Sequence, residues 1–314
     1  MVLKKGGSVI LLTHLGRPKG IDLNLSCSLI VDVTSKILGE KVIFCPSTIG
    51  EEAEKLSKTL LPGEIMLMEN VRFYPQETKG EKAFAKELSK LGSVYVNDAF
   101  GSAHRAHSST TIIAQFFEKK YFGKLLEKEI RSIDKVINNG KKPILAILGG
   151  AKISSKITII ESLLDLVNDI LIGGGMAYTF IKAQGGAIGS SICENDFCNY
   201  AIELIAKAKA KGVQIHLPKD VIIADSFNNL ANKKVAFINQ IPKGWQGLDF
   251  GPKSIEDIKP LIKKSKTILW NEPLGVSKFD NFSKGTIKLG ELISDATSKG
   301  AFSLVGGGDS VAAV

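Results

Sequence analysis

The most constraining feature of this sequence is a rhythm. Short, wholly apolar runs alternate with longer amphipathic stretches from one end of the chain to the other. SVILL, KVIFC, EIMLM and SVYV occur in the first half, and PILAIL, DILI, QIHL, VIIA, KTILW and FSLV in the second. A strand that is apolar at every position is buried on both faces, which is the signature of a parallel sheet covered by helices on each side. The intervening stretches supply those helices, around residues 28–38, 51–59, 80–91, 156–167, 197–211 and 284–299, with another ending at Lys182. Met1 to Lys5 read as the tail of a helix closed by Gly6-Gly7, and a small β insertion is expected around residues 221–241.

A chain of 314 residues exceeds what one core usually organises, so two domains are expected. The stretch 124–138 carries charges on one face and Leu125, Leu126, Ile130, Ile133 and Val136 on the other, and ends at Asn139-Gly140. It is the natural connector. The predicted fold is α/β, with two doubly wound parallel-sheet (Rossmann-like) domains spanning 1–121 and 139–314 and a hinge helix at 122–138.

Composition narrows the function classes. The net charge of +9, from 41 Lys+Arg against 32 Asp+Glu, suits an anionic partner without choosing one. Cys27, Cys45, Cys193 and Cys198 form no CxxC pair and the four histidines show no ligand spacing, so neither a zinc site nor a disulfide framework is expected. That usage suits a reduced cytoplasm. No apolar run reaches the roughly 18 residues of a membrane span, and no cleavable signal is legible.

Three strands of the second half run directly into glycines: Gly149-Gly150-Ala151-Lys152, Gly173-Gly174-Gly175, and Gly306-Gly307-Gly308-Asp309-Ser310. In open α/β sheets ligands sit beyond the carboxyl ends of the strands, where glycine lets backbone N–H groups approach a phosphate. Three such loops at one edge predict a nucleotide. There is no GxxxxGK[ST] run and no GxGxxG followed by a ribose-binding acid, which removes a P-loop enzyme and weakens an NAD-dependent dehydrogenase. Lys152 and Lys156, four apart, are expected over the first loop with Lys156 already in the helix. Asp309 is the candidate carboxylate for Mg²⁺ between phosphates. A helix-surface role for the lysines and a capping role for the aspartate are the structural alternatives.

The first half carries bases at strand ends: His14-Leu15-Gly16-Arg17 after SVILL, Arg72 after EIMLM, and His104, Arg105 and His107 after SVYV. If these strands are parallel neighbours, the three arginines converge. A guanidinium fork binds carboxylate or phosphate bidentately, so the cluster reads as an anion pocket rather than as surface ion pairs. Bases without interleaved aromatics argue against a nucleic-acid binder.

Taken together, HLGRP, ENVRF, NDAFGSAHRAHSS, ILGGAKISSKI, IGGGMAYTF, GLDFGPKS, TILWN-P-GV and VGGGDSVAAV resemble, in order, the phosphoglycerate kinase family across the whole length present. The resemblance implies glycolytic phosphoryl transfer between 1,3-bisphosphoglycerate and ADP, giving 3-phosphoglycerate and ATP, in a cytoplasmic monomer with no nucleic-acid or membrane partner. His14, Leu15, Gly16, Arg17, Arg72 and Arg105 would bind the glycerate in the first domain. Gly149, Gly150, Lys152, Lys156, Gly173, Gly174, Gly251, Asn271, Lys278, Gly307, Gly308, Asp309 and Ser310 would line the nucleotide site in the second. Lys152 and Arg17 would be catalytic, Asp309 would hold Mg²⁺, and closure about the hinge helix would align the substrates.

The same resemblance marks departures. Glu272 stands where the family carries glycine, Ser277 where it carries an aromatic, and Lys278 where it carries the glutamate that binds the ribose hydroxyls. A lysine donates but cannot accept, so weakened nucleotide binding is expected. The family's opening strand, with its Arg-x-Asp-x-Asn-Val-Pro run, and its Ser-Thr-Gly-Gly-Gly segment and terminal helix fall outside this sequence. Both domains are therefore expected to be incomplete, and a catalytically impaired fragment is the alternative function.

Overall fold

The computed structural model describes residues 1–313 and divides the chain into two compact units, one running through Arg131 and one starting at Ser132. The division falls inside the amphipathic helix Lys124–Ile137.

In the first unit, β1 (Val9–Leu11), β2 (Val42–Cys45) and β3 (Ile65–Met68) form a parallel sheet of order β1-β3-β2, with Ile65 level with both Val9 and Val42. The apolar run of β3 has the two-faced burial its composition predicts. Met66 and Met68 pack with Cys45, Ala53 and Leu91, whereas Ile65 and Leu67 pack with Cys27 and Val42 on the opposite side. Helix Glu51–Thr59 opens with Glu51, Glu52 and Glu54 and closes with Lys58, matching its charges to the peptide dipole. The expected helix over 28–38 is a 3₁₀ turn, Cys27–Ile30, running into an α-helix, Val31–Leu38, that leaves Val33 and Ile37 exposed. The expected remnant at the start is a 3₁₀ turn, Leu3–Lys5, capped by Gly6 at φ 78°.

One sheet expectation fails here. β4 (Tyr95–Asn97) does not join β1 and β3; it forms a separate parallel pair with β5 (Lys120–Phe122). Local anchoring sets the position of β4. Tyr95 Oη donates to the carbonyls of Ser109 and Thr110, and Asp98 accepts from Leu126 N.

The second unit is organised by five parallel strands: β6 (Ile144–Leu148), β7 (Asp169–Ile172), β9 (Gln214–His216), β14 (Thr267–Asn271) and β15 (Phe302–Gly306). Their order is β15-β14-β6-β7-β9, and the register sets Gly306, Asn271 and Leu148 level, with Ile172 beside Leu148. Four glycine-rich or polar strand ends therefore open at one edge. Helices cover both faces. Ala146, Leu148, Ile170 and Ile172 face Ile160, Phe180 and Leu204, while Leu145, Ile147, Leu171 and Trp270 face Ile258, Ile262 and Leu289.

The insertion lies between β9 and β14. β10 (Asp220–Ala224), β11 (Lys233–Phe237) and β13 (Gln246–Phe250) make an antiparallel sheet, and β8 (Ala187–Ile188) pairs with β12 (Gln240–Ile241). It therefore reaches to Phe250, beyond the expected 221–241. A helix not anticipated from sequence, Pro252–Lys264, follows Gly251; proline at the first helical position has no N–H to leave unpaired.

Candidate functional site

The strand ends of the first unit are held by two polar residues that follow β3. Glu69 accepts hydrogen bonds from Ser26 Oγ, Cys27 N and Asn70 N at 2.6–2.7 Å. The fully buried Asn70 donates to the carbonyls of Leu15 and Leu25 at 2.9 and 2.8 Å, and its own oxygen accepts from Arg72 N. Residues 13–27 are thus pinned against the end of β3. Arg72 Nη1 reaches Gly16 O at 3.0 Å, and Gly16, at φ 59°, takes a left-handed turn that glycine adopts without strain.

On this scaffold Arg72 lies in the fields of both Arg105 and Arg17, and His14 in those of Arg72 and Arg105, even though β4 lies in a separate sheet. Burial, and then the Arg105 guanidinium, hold Arg72 below the usual guanidinium range; Arg17 adds to the effect and Glu77 opposes it. Burial followed by Arg72, His107 and Arg105 holds His14 below the usual imidazole range. His107 is lowered by burial, Arg72, Arg105 and His104. Arg72 Nε is buried with no partner among the described residues, so a concentrated positive charge keeps an unused donor. Glu77, 2% exposed, is pushed up by burial, against bonds from Ser109 N and Oγ at 2.9 and 2.7 Å; its Oε1 lies 3.9 Å from His107 Nδ1. Arg17 and Arg105 are exposed.

In the second unit the glycine loops meet one another before they meet anything else. A Cβ on Gly149 would overlap the carbonyls of Glu272 and Pro273, and one on Gly174 would strike the Gly150 backbone. The N–H groups of Gly149, Gly150, Gly173 and Gly174 donate to the carbonyls of Asn271, Pro273, Leu148 and Leu274 at 2.8–3.2 Å. This corrects the expectation that these amides face a phosphate: they knit the ends of β6, β7 and β14 into one floor. Gly251 has a similar packing reason, since a side chain there would meet the Asp220 carboxylate, which itself accepts from Lys253 N and Ser254 N. The loop after β15 differs, because the first-turn amides of the short helix Gly308–Val311 have no intrahelical acceptors. Ser310 Oγ is buried without a partner among the described residues.

Lys156 precedes the helix Ile157–Leu163 instead of lying within it, because residues 151–156 form turns pinned by Glu194, which accepts from Ser154 N and Oγ at 3.0 and 2.6 Å. Its ammonium donates to Asn271 Oδ1 at 2.5 Å and lies 3.8 Å from Glu272 Oε1, whereas Lys152 is exposed. Asp309 Oδ2 accepts from Ser277 Oγ at 2.9 Å. The Lys278 ammonium sits over the rings of Phe227 and Phe279, 5.1 and 5.3 Å from their centroids.

The sequence reading missed Asp249. Only 2% exposed beneath the segment after β14, it accepts from Phe250 N and Gly285 N at 2.9 and 2.8 Å. Burial pushes its carboxyl up to about 7 against the help of those two amides. An acid inside the apolar run GLDF was the available signal. Among the described residues no group of three or more His, Cys, Asp or Glu is arranged to hold a metal, and no helix is long and apolar enough to cross a membrane.

Comparison with known proteins agrees with this architecture at both levels. The family model described as phosphoglycerate kinase matches residues 1–314. Cytosolic phosphoglycerate kinase 3 of Arabidopsis thaliana is 47% identical over 313 residues, covering all of this chain and 78% of that protein. The phosphoglycerate kinase of Prochlorococcus marinus (strain MIT 9211) is 46% identical over 314 residues, again covering 78% of that protein. Among solved structures, phosphoglycerate kinase from Coxiella burnetii superposes with a TM-score of 0.80 at 35% identity, covering 99% of this chain and 78% of the other. The enzyme from Pyrococcus horikoshii OT3 gives 0.84 at 26% identity, covering 99% and 79%. With the motifs in order, the parallel sheets in place and relatives near half identity over the full chain, this chain belongs to the phosphoglycerate kinase family.

Proposed function

We propose that this chain carries out reversible phosphoryl transfer from 1,3-bisphosphoglycerate to ADP, giving 3-phosphoglycerate and ATP, with the acid bound by the first unit and the nucleotide by the second. The observation that supports this most is the cluster in which Arg72 and Arg105 act on His14 while Arg17 acts on Arg72. Mutually repelling cations with an unused buried donor are stabilised by a dianionic phosphate and a carboxylate, and bidentate guanidinium contacts fix both groups. In the transfer, an ADP β-phosphate oxygen attacks the acyl phosphorus, the bond from phosphorus to the carboxyl oxygen breaks, and the leaving group departs as the 3-phosphoglycerate carboxylate. No proton needs to move and no covalent enzyme intermediate forms.

Catalysis is then positioning and charge stabilisation. Lys152 and Arg17 would hold charge developing on the transferred group. Arg72, Arg105 and His14, with the Leu15-Gly16 turn, would orient the glycerate. Lys156, Asn271 and the Gly307–Ser310 turn would receive the nucleotide phosphates, with Gly149, Gly150, Gly173, Gly174 and Gly251 shaping the wall and Lys278 near the ribose. The donor set fits Mg²⁺: Asp309 keeps one carboxylate oxygen clear of Ser277, and this ion commonly takes one carboxylate together with phosphate oxygens and water. When bound there it neutralises charge between the phosphates.

The proposal extends to segments 1–121, 122–138 and 139–314 as acid-binding domain, hinge and nucleotide domain, in a cytoplasmic monomer with no nucleic-acid or membrane partner. A coupled assay with Mg-ATP and 3-phosphoglycerate tests the activity, and a clean preparation with no turnover rejects it. Titration with ADP against NADH separates this reading from a dehydrogenase. Small-angle scattering with both substrates tests closure, which unchanged dimensions would reject.

A further inference from the structure

Three strand-end loops of the second unit present a residue with positive φ to one another: Gly150 at 98° after β6, Gly307 at 93° after β15, and Glu272 at 69° after β14. Glu272 is the one non-glycine among the described residues in that conformation. An L-residue there is held by its surroundings, and such positions cluster where a site requires them. What holds it is visible: Trp270 Nε1 donates to Glu272 O at 2.8 Å, and Glu272 N donates to Gly306 O at 3.3 Å. Trp270 is fully buried, so the backbone at Glu272 is fixed from beneath and its side chain has one direction to take.

That direction is into the space between the other two loops. A Cβ on Gly150 would lie 3.7 Å from Cβ and Cγ of Glu272, and one on Gly307 would lie 3.6 Å from its Cδ and Oε1. The carboxylate thus stands between the β6 and β15 loops, 3.8 Å from the Lys156 ammonium, which Asn271 also holds. We infer that Glu272 is an internal anion of this cradle: its carboxylate takes the place at Lys156 that a nucleotide phosphate would take and sets nucleotide affinity by competing for that ammonium.

This inference rests on the nucleotide-site reading above. A compact ammonium serves two anions poorly when they must lie side by side, because the anions repel each other. An arriving phosphate must therefore displace the carboxylate from Lys156 and leave it close to a charge of its own sign. The loop geometry does not let the backbone withdraw. Binding is weakened without loss of any contacting residue, so the defect is reversible by removing one charge.

Calorimetric titration of ADP with Mg²⁺ into the wild-type chain, Glu272→Gln and Glu272→Gly tests this, with 3-phosphoglycerate titrated into each as a measure of the other site. Glu272→Gln keeps the side chain and removes the charge, and both variants are expected to tighten ADP about tenfold while leaving 3-phosphoglycerate affinity unchanged. If all three proteins bind ADP equally, Glu272 is a bystander and the inference falls while the nucleotide site stands. If Glu272→Gly alone tightens, relief of backbone or bulk is the cause, and the internal-anion account is overturned. If none binds ADP while all bind 3-phosphoglycerate, the nucleotide-site reading falls and takes the inference with it.

Discussion

At the strand ends of the first unit, Arg72 is pressed by Arg105 and Arg17 and keeps a buried Nε without a partner, whereas at the strand ends of the second, Lys156 already shares its ammonium between Asn271 and Glu272. Both sites lie where parallel strands end, as the topology dictates. Their electrostatics run in opposite directions. The first gathers cations and holds Arg72, His14 and His107 below their usual ranges, so under the proposed function an anion would be stabilised on arrival. The second lays three loops in contact, ties their amides to one another and places its own carboxylate 3.8 Å from Lys156, so under the inference above an anion would have to compete. Two sites on similar sheets can therefore differ in readiness because of a few side chains and not because of fold.

The contrast extends to pH, where it can be broken most forcefully. Asp249 is the largest case. Its carboxyl is raised to about 7 from 3.8, so the folded state holds a proton that the unfolded chain has released. Stability from this group is complete below the unfolded value near 4 and is lost as pH rises through about 7. That rise corresponds to roughly 4 kcal/mol. Trp245 and Trp270, the two tryptophans of the chain, both lie in the second unit, so tryptophan fluorescence during urea unfolding reports on that unit. The expected result is a fall in unfolding free energy between pH 4 and 7 that Asp249→Asn abolishes. An unchanged slope in the variant would assign the pH dependence elsewhere.

Next in size is the loss of one guanidinium. Arg72→Met keeps an apolar stem beside Gly16 and removes the charge whose field lowers both His14 and His107. Charged hydrogen bonds contribute about 1.5–3 kcal/mol, so 3-phosphoglycerate affinity should fall about 100-fold while ADP affinity stays put. Calorimetry with each ligand decides. A loss of both affinities would mean that the two sites are not independent and would collapse the comparison.

Much of this contrast was legible in the sequence, for reasons particular residues make plain. The wholly apolar runs at 65–68 and 144–148 required two-sided burial, and the arginines and glycines after them marked the ends that matter. Positive φ at Glu272 was hidden, since a glutamate in a sequence does not announce a left-handed backbone. The roles of Gly149 and Gly174 were hidden too: a glycine before a phosphate and a glycine beneath a neighbouring carbonyl look alike until the neighbouring strand is placed. The neighbour of β4 was hidden because β5, the strand it pairs with, carries no apolar run that marks it in the sequence. Asn70 and Glu69, which pin residues 13–27, stood in view as two polar residues after a buried run, but only their long-range partners gave them a task.

A smaller effect probes the first site alone. His14 and His107 are lowered below the usual imidazole range, by burial first and then by neighbouring cations, so both are largely neutral near pH 7. For stability the sign is the reverse of Asp249: the contribution is complete above the unfolded value near 6.5 and is lost as pH falls through the lowered folded values. A bound anion opposes the cations and raises both imidazoles, so 3-phosphoglycerate should bind with proton uptake. Its affinity should rise as pH falls from 7 to 6, by at most about tenfold per proton. Calorimetry in buffers of different ionisation enthalpy measures the uptake directly, and a net release would show that the cation cluster does not govern these histidines.

The smallest expected effect separates strain from charge at Glu272. Left-handed backbone costs an L-residue about 1–2 kcal/mol, and a partly exposed ion pair returns about 0–1 kcal/mol. The Lys156–Glu272 pair is of that kind, with the glutamate side chain 39% exposed. Glycine removes the strain but adds freedom to the unfolded chain, which offsets roughly 0.4–1 kcal/mol of the gain. Glu272→Gly should therefore shift the tryptophan-monitored unfolding free energy by no more than about 0.5–1 kcal/mol, in the stabilising direction. Glu272→Ala keeps the backbone strain and loses the ion pair, so it should be slightly destabilising. If Glu272→Gly were instead destabilised by more than about 1 kcal/mol, the carboxylate would be holding the β6, β14 and β15 loops together. Glu272 would then belong to the floor of the site along with Gly149 and Gly174, and its carboxylate at Lys156 would be part of what holds the loops of the second unit together.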